Sequence, residues 1–247
     1  NGLMLGRSFI LIAVPLRHRV LAVTARSSTY PERELREAEE FAKSLGVRHA
    51  VIDSEELDIE GYAENPVNRC YFCKRELFGK VRETAKKYGV SYVADGSNQD
   101  DLGDYRPGLK AVEELKVVSP LKAVGMTKDD IRLLSRELGL PTWNKPAFAC
   151  LASRFPYGQK ITREKLKMVD RAEQYLLNLG FRQVRVRHHG DLARIEVGPG
   201  EIGRFFTENL MEQVFRELKE IGFTYVTLDL KGYRTGSMNE TIPVLKN

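Results

Sequence analysis

The chain reads as an α/β protein, a parallel sheet with helices on both faces, followed by a smaller α+β domain. Three observations carry that expectation. Short apolar, β-prone runs alternate with stretches of helical spacing in the first 145 or so residues, the pattern of βαβ units and a parallel sheet. Gly46, Gly89 and Gly139 each stand just past a helical stretch, where a left-handed residue ends a helix. After Gly158 the pattern changes to long helices and closely spaced strands. The change falls near residues 145–160 and divides the chain into domains 1–150 and 151–247.

Taken in order, Phe9–Val14 is apolar enough for a strand, and Arg17-His18-Arg19 marks a surface turn. Val20–Ala25 is a buried strand by its apolar, β-prone run. Thr29 and Glu32 have capping-box spacing with Pro31 between them. Leu35, Ala38, Ala42 and Leu45 then recur at helical spacing up to Gly46. His49–Ile52 is the next strand. Cys70–Tyr88 is a helix with Cys70 and Cys73 at its start. Val90–Ala94 is a strand running into the polar loop Asp95–Asp101, and Val117–Leu121 is another. Thr127 and Asp130 supply the N-cap and box residue of a helix that stops at Gly139. In the second domain, Ile161–Leu179 is one helix. Gln183–Val186 and Ala193–Val197 are strands around the turn His189-Gly190-Asp191. Glu201–Ile221 is helical with a break near Thr207, and Tyr225–Leu230 is a last strand. Ligands of parallel sheets bind where strand C-termini meet helix N-termini, so Thr24–Ser28 and Asp95–Asp101 are candidate rim loops.

Composition narrows the function. The 247 residues are 42% hydrophobic and 30% charged, as in ordinary globular proteins. No apolar run approaches about 18 residues, so no transmembrane helix is expected. Three cysteines are too few, and odd in number, for a secreted disulfide framework, which predicts a reducing, cytoplasmic setting. A net charge of +5 suits anionic small molecules as well as nucleic acid. No segment combines a broad basic surface with aromatics, so nucleic acid is not the expected partner.

Chemistry concentrates around Lys145–Gly158. Cys150 sits there among small and apolar residues, followed by Ser153 and Arg154 and flanked by Pro146 and Pro156. A cation such as Arg154 favours the thiolate, and so does a helix N-terminus, where Cys70 and Cys73 lie three apart on one face. The pair leaves several outcomes open. It could be half of a zinc site completed by His18, His49, His188 or His189, a dithiol redox pair, or plain structural cysteines. With Cys150 it could instead hold three irons of a [4Fe–4S] cluster and leave the fourth open. Asp95, Asp100, Asp101 and Asp104 crowd one loop, which suits Mg²⁺ with nucleotide phosphates or, equally, a solvated turn. Arg185 and Arg187 alternate along a strand and share a face, near Glu173, Arg194 and Glu196 in neighbouring elements. That face binds phosphate or simply meets solvent.

The segments Asn68-Arg-Cys-Tyr-Phe-Cys-Lys74, Asp95-Gly-Ser-Asn-Gln-Asp-Asp101, Asp104-Tyr-Arg-Pro-Gly108, Ala149–Gly158 and Val184–Val197 together resemble the LarE-type ATP-dependent sulfur transferases, from about Val20 to Pro243. The resemblance implies a Rossmann-like ATP pyrophosphatase (PP-loop) domain followed by a small α+β domain for substrate and sulfur transfer. It implies ATP with Mg²⁺, and a reaction in nickel-pincer nucleotide biosynthesis. ATP adenylates a carboxylate of pyridinium-3,5-biscarboxylic acid mononucleotide, and sulfur displaces AMP to give a thiocarboxylate. Some members give up the sulfur of a cysteine matching Cys150. Others, with cysteines matching Cys70 and Cys73 as well, carry sulfide on a [4Fe–4S] cluster, and this sequence has all three. By the same resemblance Lys74, Asp95, Asp101, Arg106, Ser153, Arg154, Arg185, Arg187 and Arg234 surround nucleotide and phosphate, while Glu173 and Glu196 join Cys150 in catalysis. The expected partners are the mononucleotide and a sulfide donor, and the chain is expected to form a homo-oligomer. One departure stands out. The family's Ser-Gly-Gly-x-Asp-Ser pyrophosphate loop has no counterpart before Val20, where only Gly2 and Gly6 occur. It motivates the reading of a non-catalytic nucleotide- or metal-binding protein. A tRNA-thiolating PP-loop enzyme is the other alternative.

Overall fold

The computed structural model describes residues 19–103, 107–146, 149–207 and 209–241. The expected strand at Phe9–Val14, and Asp104 and Arg106, lie outside them. The chain divides into two compact units, one of Asn1–Tyr62 with Asn68–Cys150, the other of Ala63–Val67 with Leu151–Asn247.

In the first unit, strand β1 (Leu21–Arg26) and strand β2 (Arg48–Asp53) pair in parallel, Leu21 opposite Arg48 and Arg26 opposite Asp53. Helix α1 (Glu32–Ser44) is the crossover that a parallel pair requires. It buries Leu35, Ala38, Phe41 and Ala42, one stripe at three- and four-residue spacing, and Gly46 ends it with φ +65°. Successive strand residues point to opposite faces. Ala22 accordingly packs on Val47 beside Leu45, whereas Val23 packs on Leu77 and Val81 of helix α2 (Arg69–Lys87).

Three local expectations fail here for identifiable reasons. Thr29 and Glu32 make no capping box. Pro31 takes the N-cap position with no side-chain cap, and the Thr29 hydroxyl donates instead to Glu56. Val90–Ala94 and Val117–Leu121 form no regular strands but a single parallel bridge between Ala94 and Val118. Pro120 lacks the N–H that would extend the ladder and opens a short helix, α4 (Pro120–Ala123), following α3 (Gly108–Glu114). Helix α5 (Lys128–Glu137) does carry the full capping box of Thr127 and Asp130.

In the second unit, helix α6 (Arg163–Asn178) starts at Thr162, whose hydroxyl accepts from Lys165 N. It buries Leu166, Val169, Ala172, Glu173 and Leu176. Strand β3 (Val184–His189) runs antiparallel to β4 (Leu192–Val197), and β4 runs parallel to β5 (Tyr225–Leu228), in the order β3-β4-β5. Both hairpin strands exceed their expected spans because Gly190, at φ +67°, makes a two-residue turn with Asp191. The expected break near Thr207 separates the 3₁₀ stretch Pro199–Phe206 from helix α7 (Leu210–Ile221). Asn65, fully buried and left-handed at φ +55°, ties Ala63–Val67 to the later chain. Its amide donates to the carbonyls of Phe155 and Pro156, at 3.2 and 2.7 Å, and its own carbonyl accepts from Gly158 N at 3.0 Å. Among the described residues no helix is long and apolar enough to cross a membrane.

Candidate functional site

Two constellations carry the chemistry, one in each unit. In the first, Cys70, Cys73 and Cys150 line one cavity of about 50 Å³, with Ala25 near the end of β1, Arg69 at the start of α2, and Tyr62 and Glu56. This is the rim of a parallel sheet, where strand ends meet a helix N-terminus. The three cysteines of the sequence thus map onto one pocket, although up to 80 residues separate them in the chain.

None of the three cysteines is in a disulfide. The expected lowering of thiol pKa by the helix N-terminus is reversed. Burial, then the charge of Cys150, pushes the Cys70 thiol up against the opposing pull of Arg69. Burial and the neighbouring Glu56 carboxyl push Cys73 well above the usual thiol range. The Cys73 thiol donates to Glu56 Oε1 at 3.6 Å, while Thr29 Oγ1 donates to Glu56 Oε2 at 3.0 Å. Burial in turn raises the Glu56 carboxyl. Residue patterns alone miss Glu56, because Glu55-Glu56-Leu57-Asp58 reads as a solvated acidic stretch. Its buried position follows from the turn after β2, where Glu55 caps Glu56–Asp58 through Leu57 N.

Among the described residues no three His, Cys, Asp or Glu side chains gather about a single metal ion. His18, one of the zinc-ligand candidates, lies outside the described residues. Two zinc-ligand candidates have other uses: His49 Nε2 pairs with Thr24 Oγ1 at 2.9 Å, and His188 stacks on Phe155 in the core. Three cysteines on one cavity are the donor type that iron–sulfur clusters take, each thiolate binding a different iron.

Lys74 follows the pair on α2 and is buried. Its Nζ lies 3.7 Å from Asp95 Oδ2 and near the Phe78 ring. Gly108 of α3 permits this arrangement, since a Cβ there would meet Lys74 Cδ at 2.7 Å. Asp95 holds its own loop together. It accepts from Ser97 Oγ and Ser119 Oγ, both at 2.6 Å, and from Ser97 N. Asp101 accepts from Asn98 N and lies 3.7 Å from Lys128 Nζ, while Asp100 accepts from Lys128 N at 2.6 Å. These carboxylates tie their loop together, and Asp95 and Asp101 are buried rather than solvated.

The second constellation lies on one face of β3 and β4. Register sets Arg185 opposite Glu196 and Arg187 opposite Arg194. Cross-strand partners point to the same side, so all four share one face. Of the two readings of this face, phosphate binding or plain solvent, burial excludes the second, because Arg185 and Arg187 are only 2% and 4% exposed. Arg154 meets Glu173 of α6 through two parallel bonds of 2.7 and 2.8 Å, and Val186 N donates to the same carboxylate at 3.0 Å. Burial alone would raise the Glu173 carboxyl. Arg154 outweighs it by charge and hydrogen bonds, with Arg185 and Val186 N adding to the effect, and holds the carboxyl below its usual range. Arg154 also donates to Ser153 Oγ, and Arg187 to Ser153 O. Arg187 and Arg194 clasp the two oxygens of Glu196 at 2.7 and 3.0 Å. Arg234 pairs with Asp229 at 3.2 Å and with Glu240 at 3.5 Å. Arg185 lies over the Tyr233 ring, and burial together with the charge of Arg154 brings its guanidinium down to about 10. It stays cationic at neutral pH. Arginines gathered on one buried face and held by carboxylates are a setting suited to an anionic phosphate.

No protein-family model matches the chain. Curated relatives do. The chain is 44% identical over 227 residues to an uncharacterised protein of Synechocystis sp., covering 92% of this chain and 85% of that one. It is 40% identical over 226 residues to the pyridinium-3,5-bisthiocarboxylic acid mononucleotide synthase of Lactiplantibacillus plantarum, covering 92% and 81%. A more distant relative, 30% identical over 175 residues, is the tRNA-specific 2-thiouridylase MnmA of Azorhizobium caulinodans, with 59% of this chain and 45% of that one covered.

Proposed function

Since the chain belongs to the family of the pyridinium-3,5-bisthiocarboxylic acid mononucleotide synthases, the LarE-type sulfur transferases, we propose that it makes that thiocarboxylate from the corresponding biscarboxylic acid mononucleotide. It is an ATP-dependent sulfurtransferase. A substrate carboxylate attacks the α-phosphorus of ATP, and pyrophosphate leaves. Sulfide then attacks the acyl carbon, loses its proton to solvent or a base, and AMP departs with the bonding pair. Residues 1–150 serve as the pyrophosphatase domain, with Mg²⁺ on the nucleotide phosphates, and residues 151–247 bind the mononucleotide. Arg185 and Arg187, preorganised by Glu173 and Glu196, take the substrate phosphate, with Ser153 and Arg234 at its margin.

Cys70, Cys73 and Cys150 would hold the [4Fe–4S] cluster. When bound, it supplies an iron with an open position for inorganic sulfide. The observation that carries this reading is that three cysteines, none of them in a disulfide, line one cavity at the sheet rim, in a chain with no further cysteine. Burial holds Cys70 and Cys73 toward the protonated form, and a metal ion in the pocket would favour their thiolates.

The test is anaerobic turnover of the reconstituted protein with ATP, Mg²⁺, the biscarboxylic acid mononucleotide and inorganic sulfide, followed by mass spectrometry of the products. Thiocarboxylate, AMP and pyrophosphate in equal amounts over many turnovers are expected. Each single Cys→Ala variant should lose most of the broad iron–sulfur absorption. A single turnover that converts Cys150 to dehydroalanine would replace the cluster with a sacrificial cysteine. Thiolation of tRNA in place of the mononucleotide would overturn the substrate assignment.

A further inference from the structure

We propose that Glu56 is a displaceable fourth ligand to the cluster, closing the iron that three thiolates leave open until sulfide takes its place. The proposal rests on the cluster reading above. Glu56 is 6% exposed and lines the same cavity as the three cysteines. Its hydrogen bonds come from neutral donors, among them Thr29 Oγ1 on one oxygen and the Cys73 thiol on the other, with Ser27 adding to them, and no ion pair of the described residues includes it. Burying a carboxylate that makes no ion pair is costly, and a group of that kind beside three cysteines suits a positive occupant.

The occupant follows from the Cys73 contact. Glu56 Oε1 stands 3.6 Å from the Cys73 sulfur, which places it beside an iron that this sulfur would ligate. An iron held by the neighbouring cysteines suits that oxygen, because a carboxylate oxygen is a competent iron ligand. Thr29 keeps its bond to Oε2 throughout, so the carboxylate stays aimed while Oε1 exchanges its thiol donor for the metal. Sulfide, a softer and stronger ligand for iron, displaces the oxygen without any cysteine having to leave. A capped iron also resists further ligands and cluster loss between turnovers.

The experiment uses the full chain labelled with ¹³C-carboxyl glutamate, reconstituted anaerobically and reduced, and read by electron–nuclear double resonance alongside iron analysis. About four irons per chain and a strong ¹³C coupling that vanishes on adding sulfide, and is missing in Glu56→Gln, are expected. In Glu56→Gln, sulfide should also bind about tenfold more tightly, since the wild-type iron is open only part of the time. An intact cluster with no ¹³C coupling and unchanged sulfide affinity overturns the Glu56 assignment and leaves the cluster standing. A wild-type chain that takes up no cluster overturns both. The wild-type resonance decides the matter even where the variant fails to fold.

Discussion

Arg187 joins Glu196, the Ser153 carbonyl and the Ser237 hydroxyl in one buried knot. Its Ala variant should weaken binding of the substrate mononucleotide by about 1.5–3 kcal/mol, the worth of a charge-assisted hydrogen bond. Calorimetry of the full chain reads the affinity, and iron analysis should find the cysteine pocket of the other unit unaffected. Unchanged affinity would return this strand face to a purely structural role. His188 makes a separate prediction. Stacked on Phe155 and tilted against Phe223, it has its pKa lowered from 6.5 to about 4, by burial first and then by Lys165. The folded value lies below the unfolded one, so its contribution is complete above pH 6.5 and is lost as pH falls toward 4. Urea midpoints measured across that window should fall in the wild type and fall less steeply in His188→Phe. His189, lowered in the same direction, keeps a residual slope. A histidine eligible for zinc on composition is thus a core ring, and the sequence hint was its place between Val186 and Ala193, two residues of the inward apolar face.

At the scale of elements, equal spacings in the sequence had opposite outcomes. Thr127 and Asp130 form a full capping box, with the Thr127 hydroxyl accepting from Asp130 N at 3.2 Å. Thr127→Ala should destabilise the protein by about 1 kcal/mol, read as a shift in denaturation midpoint without a change in slope. Thr29 and Glu32 have the same spacing, yet Thr29 turns toward Glu56. Spacing alone does not reveal a buried carboxylate, arriving from the turn after β2, that competes for the hydroxyl. The helices were legible because their apolar stripes and terminal glycines are local. The strand at Val90–Ala94 was not, because strand assignment depends on a partner, and Pro120 removes that partner after one bridge. Tyr92, 80% exposed, belongs to no ladder.

For the whole molecule, the number and spacing of the cysteines were enough to group Cys70, Cys73 and Cys150, and the alternation of Arg185 and Arg187 was enough to give them a common face. Burial decided the rest. It made the arginine face an internal ion network, raised thiols expected to be acidic, and brought Glu56 to the cysteine pocket from a stretch that reads as surface. None of these follows from residue type, since each depends on chain segments remote in sequence covering one another.

Ala63–Val67 has a consequence for dissecting the gene. A fragment beginning at Leu151 would lack Asn65 and Ala63. The amides of Gly158 and Ile161, and the carbonyls of Phe155 and Pro156, would then lose partners they have in the intact chain. Such a fragment should be poorly soluble or loosely folded when expressed alone. A synthetic peptide spanning residues 60–70 should restore sharp amide resonances when added in trans, and the same peptide with Asn65→Ala should not. The shortest autonomous piece would then be a permutein in which residues 63–67 are fused by a flexible linker ahead of Leu151, a two-part design that no cut at one position can supply.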